Sequence, residues 1–178
     1  LSQAAGYAYS LQYIDNSKHR FVYFVTGDGE LNEGNIWEAA MFAGKYKLAN
    51  LTAVMDRNNI QIDGMTEDIM PLESLRAKYE AFNWHVLEVN GHDISAFIGA
   101  VEEAKSIYEK PVLIIAHTIP SKGVDVFERD FRWRHLGHRE RSGADVAVAV
   151  PFEFCAGTAG GTASGRSARR RWPGAPTP

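Results

Sequence analysis

Cysteine is almost missing from this chain: Cys155 is the only one in 178 residues. That excludes an internal disulfide and makes a reducing cytoplasm the expected setting. No apolar stretch approaches the roughly 20 residues that span a bilayer, and no charged segment followed by an apolar one opens the chain as a secretion signal would. A membrane protein is therefore not expected. Positive charge is not in surplus either, since the formal net charge is −3. That excludes a broad cationic surface for nucleic acid and leaves a solvated acidic one. Methionine does not begin the chain. It opens on Leu1-Ser2-Gln3-Ala4-Ala5-Gly6-Tyr7-Ala8, small and apolar residues at helical spacing, and the expectation is that the domain starts further upstream. Lysine disappears after Lys122, whereas nine of the twelve arginines follow Glu128. Residues 143–178 hold 22 Gly, Ala, Arg or Pro, which predicts a low-complexity, disordered tail or a shifted reading frame, with Arg169-Arg170-Arg171 as solvated filler.

What remains, residues 1–142, is long enough to bury a core and reads as one domain. Helical patterns over 2–17, 33–47, 73–82 and 93–108 alternate with apolar runs at 21–26, 51–56, 84–89 and 112–117. Near-continuous apolar strands separated by amphipathic helices predict an α/β fold, a Rossmann-like parallel sheet with helices on both faces. The helix over 33–47 carries Ala39, Ala40, Ala43 and Gly44 beside Ile36, Trp37, Met41 and Phe42, and these small residues let its backbone approach a neighbour closely.

In such a sheet the ligand site lies beyond the carboxyl ends of the strands. Gly27-Asp28-Gly29 and Asp56-Arg57-Asn58-Asn59 both fall there. Glycine on either side of Asp28 permits backbone conformations closed to other residues and lets a ligand approach the main chain, which suits an anion. Asn32 is placed to cap the next helix, whose N-terminus favours phosphate. Asp28 itself would repel phosphate, and a divalent cation resolves the conflict. Its carboxylate, the Asn58 amide oxygen, the Ile60 carbonyl, two diphosphate oxygens and a water make the oxygen octahedron that Mg²⁺ requires. Taken singly, Asp-Gly is also a hairpin turn and Asn-Asn a loop. Their joint placement on consecutive strand ends, with Asp28 thirty positions before Asn58, is what points to a site.

That Gly27-Asp28-Gly29 to Asn58 spacing resembles the thiamine diphosphate motif, and "GDGELNEGNIWEAAMFAGKYKLANL", "DRNNIQIDG", "NGHD" and "KPVLIIAHTIPSKG" resemble the transketolase family over residues 1 to about 137. "LSQAAGYA" is similar to the end of that family's glycine-rich cofactor loop and the helix after it. The resemblance implies thiamine diphosphate and Mg²⁺ as cofactors, with Asp28, Asn58 and the Ile60 carbonyl as metal ligands and the Gly29 N–H on the diphosphate. It places Gly27 in the same loop, Ile62 against the thiazolium ring and Glu33 close to the cofactor, with Glu38 near a subunit interface. An ordinary helix-face carboxylate is the competing reading for both glutamates.

His85, His92 and His117 read as structural and His19 as surface. The family's histidine-glycine pair is disrupted here in Trp133-Arg134-His135-Leu136-Gly137-His138; His135 is the expected catalytic residue, ahead of His138. The activity implied is transfer of a two-carbon ketol unit from a ketose phosphate to an aldose phosphate. The family completes its site with a pyrimidine-binding domain of a second subunit, which is not recognisable after residue 142. The chain is thus expected to be half a site, in a dimer or heterotetramer with that domain or subunit. A deoxyxylulose-phosphate synthase and a non-catalytic subunit or fragment of the same fold are the alternatives. A nucleotide-binding oxidoreductase fits worse because the third glycine of its fingerprint is missing.

Overall fold

The computed structural model describes residues 1–17, 20–125 and 127–128. The tail expected over 143–178, together with His19, His135, His138 and Cys155, lies outside the described residues. Helix α1 (Ser2–Tyr9) continues through a π-type turn, Ser10–Ile14, into strand β1 (Val22–Gly27). A 3-10 turn over Gly29–Asn32 leads to α2 (Gly34–Lys45) and β2 (Leu51–Arg57). A small hairpin, β3 (Ile60–Gln61) and β4 (Gly64–Met65), is followed by α3 (Thr66–Ile69) and α4 (Leu75–Ala81). Strand β5 (His85–Asn90), α5 (Ile94–Lys105) and β6 (Val112–His117) complete the described fold. No helix among the described residues is long and apolar enough to cross a membrane.

The four long strands pair in parallel in the order β1-β2-β6-β5. Handedness explains where the helices lie. The first two crossovers advance across the sheet with α2 and α4 on one face, and the crossover from β5 back to β6 reverses direction. A right-handed connection must then place α5 on the opposite face. Alternation along the strands divides the apolar residues accordingly. Leu51, Ala53 and Met55 of β2 join Leu113, Ile115 and Val86 under α1, α2 and α4, while Val54, Val112 and Ile114 pack with Ala100 and Ala104 of α5. Beyond the reach of α5, Tyr23 and Val25 of the edge strand β1 remain 46% and 69% exposed. The expected cover on both faces holds for the centre of the sheet, and at β1 only the face toward α1 is covered among the described residues.

Two close backbone approaches set the shape. Gly44 presses α2 onto the turn after α4: a Cβ there would lie 1.8 Å from the Phe82 carbonyl oxygen. Trp84 locks the same junction by donating Nε1–H to the Ala40 carbonyl at 2.9 Å and meeting Tyr79 edge-on. Gly91, in the turn after β5, would carry a Cβ only 2.5 Å from Thr118 Cγ2, so glycine is what lets that turn lie against the end of β6. Asn90 accepts from the His92 N–H and Asp93 caps α5 by accepting from the Ala96 N–H. His92 Nε2 accepts from the Ile119 N–H at 2.7 Å, a turn-to-turn tie that agrees with its structural reading.

Candidate functional site

Because every strand of the main sheet runs the same way, the carboxyl ends of β1 and β2 lie side by side: Gly27 is registered opposite Asp56, and Arg57 opposite His117 of β6. Asp28 and Asn58 therefore leave adjacent strand tips, as their spacing predicts. Asp28 is fully buried, its side chain 0% exposed. Its Oδ2 accepts from Arg57 Nη1 at 2.6 Å and from Thr66 Oγ1 at 3.0 Å. Its Oδ1 is buried and makes no hydrogen bond of ordinary geometry. Burial pushes the Asp28 carboxyl above the ordinary aspartate range; Arg57, Thr66 and the Asn59 N–H pull it down without fully offsetting the loss of water.

Asn58 is oriented from both ends. Its Nδ2 donates to Asp56 Oδ2 at 3.0 Å, and its Oδ1 accepts from the Ile60 N–H at 2.9 Å. An amide oxygen has two lone pairs, so one remains for a cation. Asp56 in turn accepts a short hydrogen bond from the Thr118 hydroxyl, tying β2 to the end of β6. Asn59 takes a left-handed backbone, φ 63°, which turns the chain into the hairpin. Ile60 is buried at its base, whereas Ile62 stands 68% exposed at its tip.

The glycines flanking Asp28 differ from expectation, because neither adopts a positive φ. Gly27 ends a strand and Gly29 opens a 3-10 turn, both ordinary conformations. What they provide is room. No atom lies within 4 Å of a Cβ placed on Gly27, and one on Gly29 would lie 3.4 Å from Gln61 Cβ, where the hairpin comes close. Glu30 folds back over the strand end, its Oε2 accepting from Thr26 Oγ1 at 2.8 Å and from the Gly27 N–H at 2.9 Å. The Gly27 donor is therefore already engaged. Asn32 does not cap α2: the 3-10 turn displaces the helix start to Gly34, the N-cap position falls to Glu33 without a side-chain cap, and Asn32 Nδ2 points to the Met70 carbonyl at 3.5 Å. Glu33 and Glu38 are both exposed.

Sequence reasoning missed the residue at the centre. Arg57 is only 3% exposed and meets three carboxylates: Asp28, Glu67 Oε1 at 2.6 Å and Glu73 Oε1 at 3.0 Å. Burial lowers its pKa, but these partners more than restore it and it stays charged. Glu67 and Glu73 are themselves held by main chain, accepting from the Leu72 and Leu75 N–H groups. Burial raises the Glu67 carboxyl, yet the Leu72 N–H and Arg57 hold it below the ordinary glutamate range. The signal available in the sequence was a cation inside a strand whose neighbours are buried, which demands partners.

The parallel α/β sheet thus presents one buried, half-satisfied carboxylate and an oriented amide at adjacent strand tips, the end of such a sheet where ligands bind. Residues 4–135 match the family described as transketolase, thiamine diphosphate binding domain. The chain is 46% identical over 127 residues to the 6-deoxy-6-sulfo-D-fructose transketolase subunit SqwG of a Clostridium species, an alignment covering 71% of this chain and 46% of that protein. It is 42% identical over 135 residues to an apulose-4-phosphate transketolase subunit of Phocaeicola vulgatus, covering 76% and 47%. Among solved structures, transketolase from Campylobacter jejuni superposes with a TM-score of 0.69 at 34% identity over 74% of this chain and 21% of that one. Transketolase from Leishmania mexicana gives 0.62 at 31% identity over 66% and 19%. The chain belongs to the transketolase family and carries its thiamine diphosphate-binding N-terminal domain. It spans about half the length of these curated subunit relatives, 46% and 47%.

Proposed function

We propose that this domain forms the diphosphate and Mg²⁺ half of a transketolase site. It would act with a pyrimidine-binding domain or subunit to move a two-carbon ketol group from a ketose phosphate to an aldose phosphate. The observation that carries the reading is Asp28 Oδ1, a carboxylate oxygen buried without a hydrogen bond of ordinary geometry while Oδ2 of the same group is saturated. Buried oxygens are nearly always paired, and a cation supplies the missing partner. Among the described residues no group of three or more His, Cys, Asp or Glu could hold a metal. The residues present fit an ion held by one carboxylate, the Asn58 amide, the Ile60 carbonyl and ligand phosphates, the manner in which Mg²⁺ is usually bound. When bound, thiamine diphosphate supplies the electron sink for cleaving a ketose carbon–carbon bond.

The chain's own residues then bind and orient. Asp28 and Asn58 fix the ion, the Gly29 N–H serves the diphosphate, Ile62 offers an exposed apolar surface to the thiazolium ring, and Glu33 stands near the cofactor. His135 is assigned the contact to diphosphate and substrate. The two relatives described as subunits support a separate partner chain for the remainder of the site.

The purified chain with Mg²⁺, thiamine diphosphate and sugar phosphates is expected to give no turnover, while calorimetry detects thiamine diphosphate binding that depends on the cation. Robust unaided turnover would refute the half-site assignment. Binding indifferent to divalent cations would refute the metal assignment.

A further inference from the structure

Among the described residues, the buried side-chain atoms that make no hydrogen bond of ordinary geometry are Asp28 Oδ1, Asn50 Oδ1, Gln61 Nε2 and His85 Nε2. Asn50 precedes β2 and His85 begins β5, so both belong to the amino ends of the strands. Asp28 and Gln61 belong to the opposite end, on two loops that meet there. Gln61 lies in β3 against Gly29: a Cβ placed on that glycine would be 3.4 Å from Gln61 Cβ and 3.7 Å from its Oε1. The hairpin gives the Gln61 amide nothing to bond. Its cross-strand neighbour is Gly64, which has no side chain to offer. The oxygens of the adjoining loops are committed elsewhere. Glu30 Oε2 accepts from Thr26 and the Gly27 N–H, Asp28 Oδ2 from Arg57 and Thr66, and Asn58 Oδ1 from the Ile60 N–H.

A buried donor and a buried acceptor on neighbouring loops could satisfy each other, and these two do not pair. Each is left needing a partner of the other sign: the carboxylate oxygen a cation, the amide N–H an anionic oxygen. A metal-bound diphosphate offers both. Resting on the cofactor reading above, we infer that Gln61 is a further binding residue of this chain, its Nε2 donating to a diphosphate oxygen beside the Gly29 N–H. A hydrogen bond from an amide to a charged oxygen is stronger than one between neutral groups, and burial of the nitrogen keeps water from replacing it.

The test is calorimetric titration of the full chain with inorganic diphosphate and, separately, with thiamine diphosphate, each in the presence of Mg²⁺. Gln61→Met keeps the length of the side chain and removes its polar end. It is expected to weaken both ligands by the same factor, about tenfold or more. The Tm of the unliganded variant should be unchanged or higher, because an unsatisfied buried amide has been removed. Gln61→Glu should weaken both ligands further, since it sets a carboxylate against phosphate of the same sign. Unchanged affinity of Gln61→Met for inorganic diphosphate would overturn the inference. So would a Tm several degrees lower, which would mean that the amide serves the fold. If the unaltered chain binds neither ligand with Mg²⁺, the cofactor reading itself fails, and that result is visible without any variant.

Discussion

Asp28→Asn is expected to abolish cation-dependent binding of thiamine diphosphate while leaving the unliganded chain at least as stable as the unaltered one at neutral pH. The binding loss should exceed about 100-fold, more than outer-shell changes cause, because the substitution removes the only charged side chain proposed as a ligand of the ion. The stability expectation follows from the sign of the pKa shift. A carboxyl whose folded-state pKa is raised takes up a proton more readily folded than unfolded. Its ionised form therefore costs stability above that raised value, the cost shrinks as pH falls toward the ordinary aspartate value, and it is gone below it. Asparagine removes the ionised form altogether. Arg57 is not stranded by the change, since Glu67 and Glu73 still hold it, and the amide oxygen can still accept from Thr66. Thermal melts at pH 7 and about pH 4 should give a variant equal or superior at the higher pH, with the difference narrowing at the lower. A variant that binds the cofactor like the original would remove Asp28 from the site.

The second large effect concerns the fold. Gly44→Ala and Gly99→Ala are the same chemical change in two helices, yet they should act in opposite directions. In an unobstructed helix alanine is favoured over glycine by about 0.5–1 kcal/mol. Gly99 in α5 has no atom within 4 Å of the position its Cβ would take, so that gain is expected in full. At Gly44 the new carbon would sit 1.8 Å from a backbone oxygen, which no rotamer change relieves. Helix α2 would have to lift from the Phe82–Asn83 turn and disturb the hydrogen bond from Trp84 to Ala40. Overpacking of this kind costs about 3 kcal/mol or more, several times the helix-propensity gain. A fall in Tm of about 10 °C should follow. A stable Gly44→Ala protein would show that α2 does not bear on that turn as described.

Much of this architecture was legible because it is periodic. The β2 and β6 runs, Leu-Thr-Ala-Val-Met-Asp and Val-Leu-Ile-Ile-Ala-His, are apolar on both faces because both faces are covered, and their boundaries fall within a residue of those expected. The four expected helices all form, though α1 ends before residue 17 and α5 before 108. What escaped was short. The 3-10 turn at Gly29–Asn32, the hairpin at Ile60–Met65 and α3 are each six residues or fewer, too brief for a period of 3.6 or 2 to register. The hairpin is instructive because Asp28-Gly29 is the pair that reads as a possible turn in the sequence. The structure places a turn at the other Asp-Gly, where Ile62 and Asp63 connect Gln61 to Gly64.

At the site, Asp28 and Asn58 could be paired from sequence because register in a parallel sheet converts strand-end positions into neighbours. The Arg57 cluster could not. Its partners lie 29, 10 and 16 positions away, on a loop and on segments with no regular pattern, so only folding brings them together. Glu30 escaped for a different reason: a carboxylate folded back on its own strand end looks in sequence like an ordinary exposed acid.

The account stands on an ion shared between Asp28 and Asn58. Co-crystals of the chain with thiamine diphosphate and Mn²⁺, measured by anomalous scattering, test it most directly. The predicted result is a single strong peak in contact with Asp28 Oδ1, the Asn58 amide oxygen and the Ile60 carbonyl, with Asp28 Oδ2 still on Arg57. Cofactor bound with no anomalous peak at those three oxygens would contradict it.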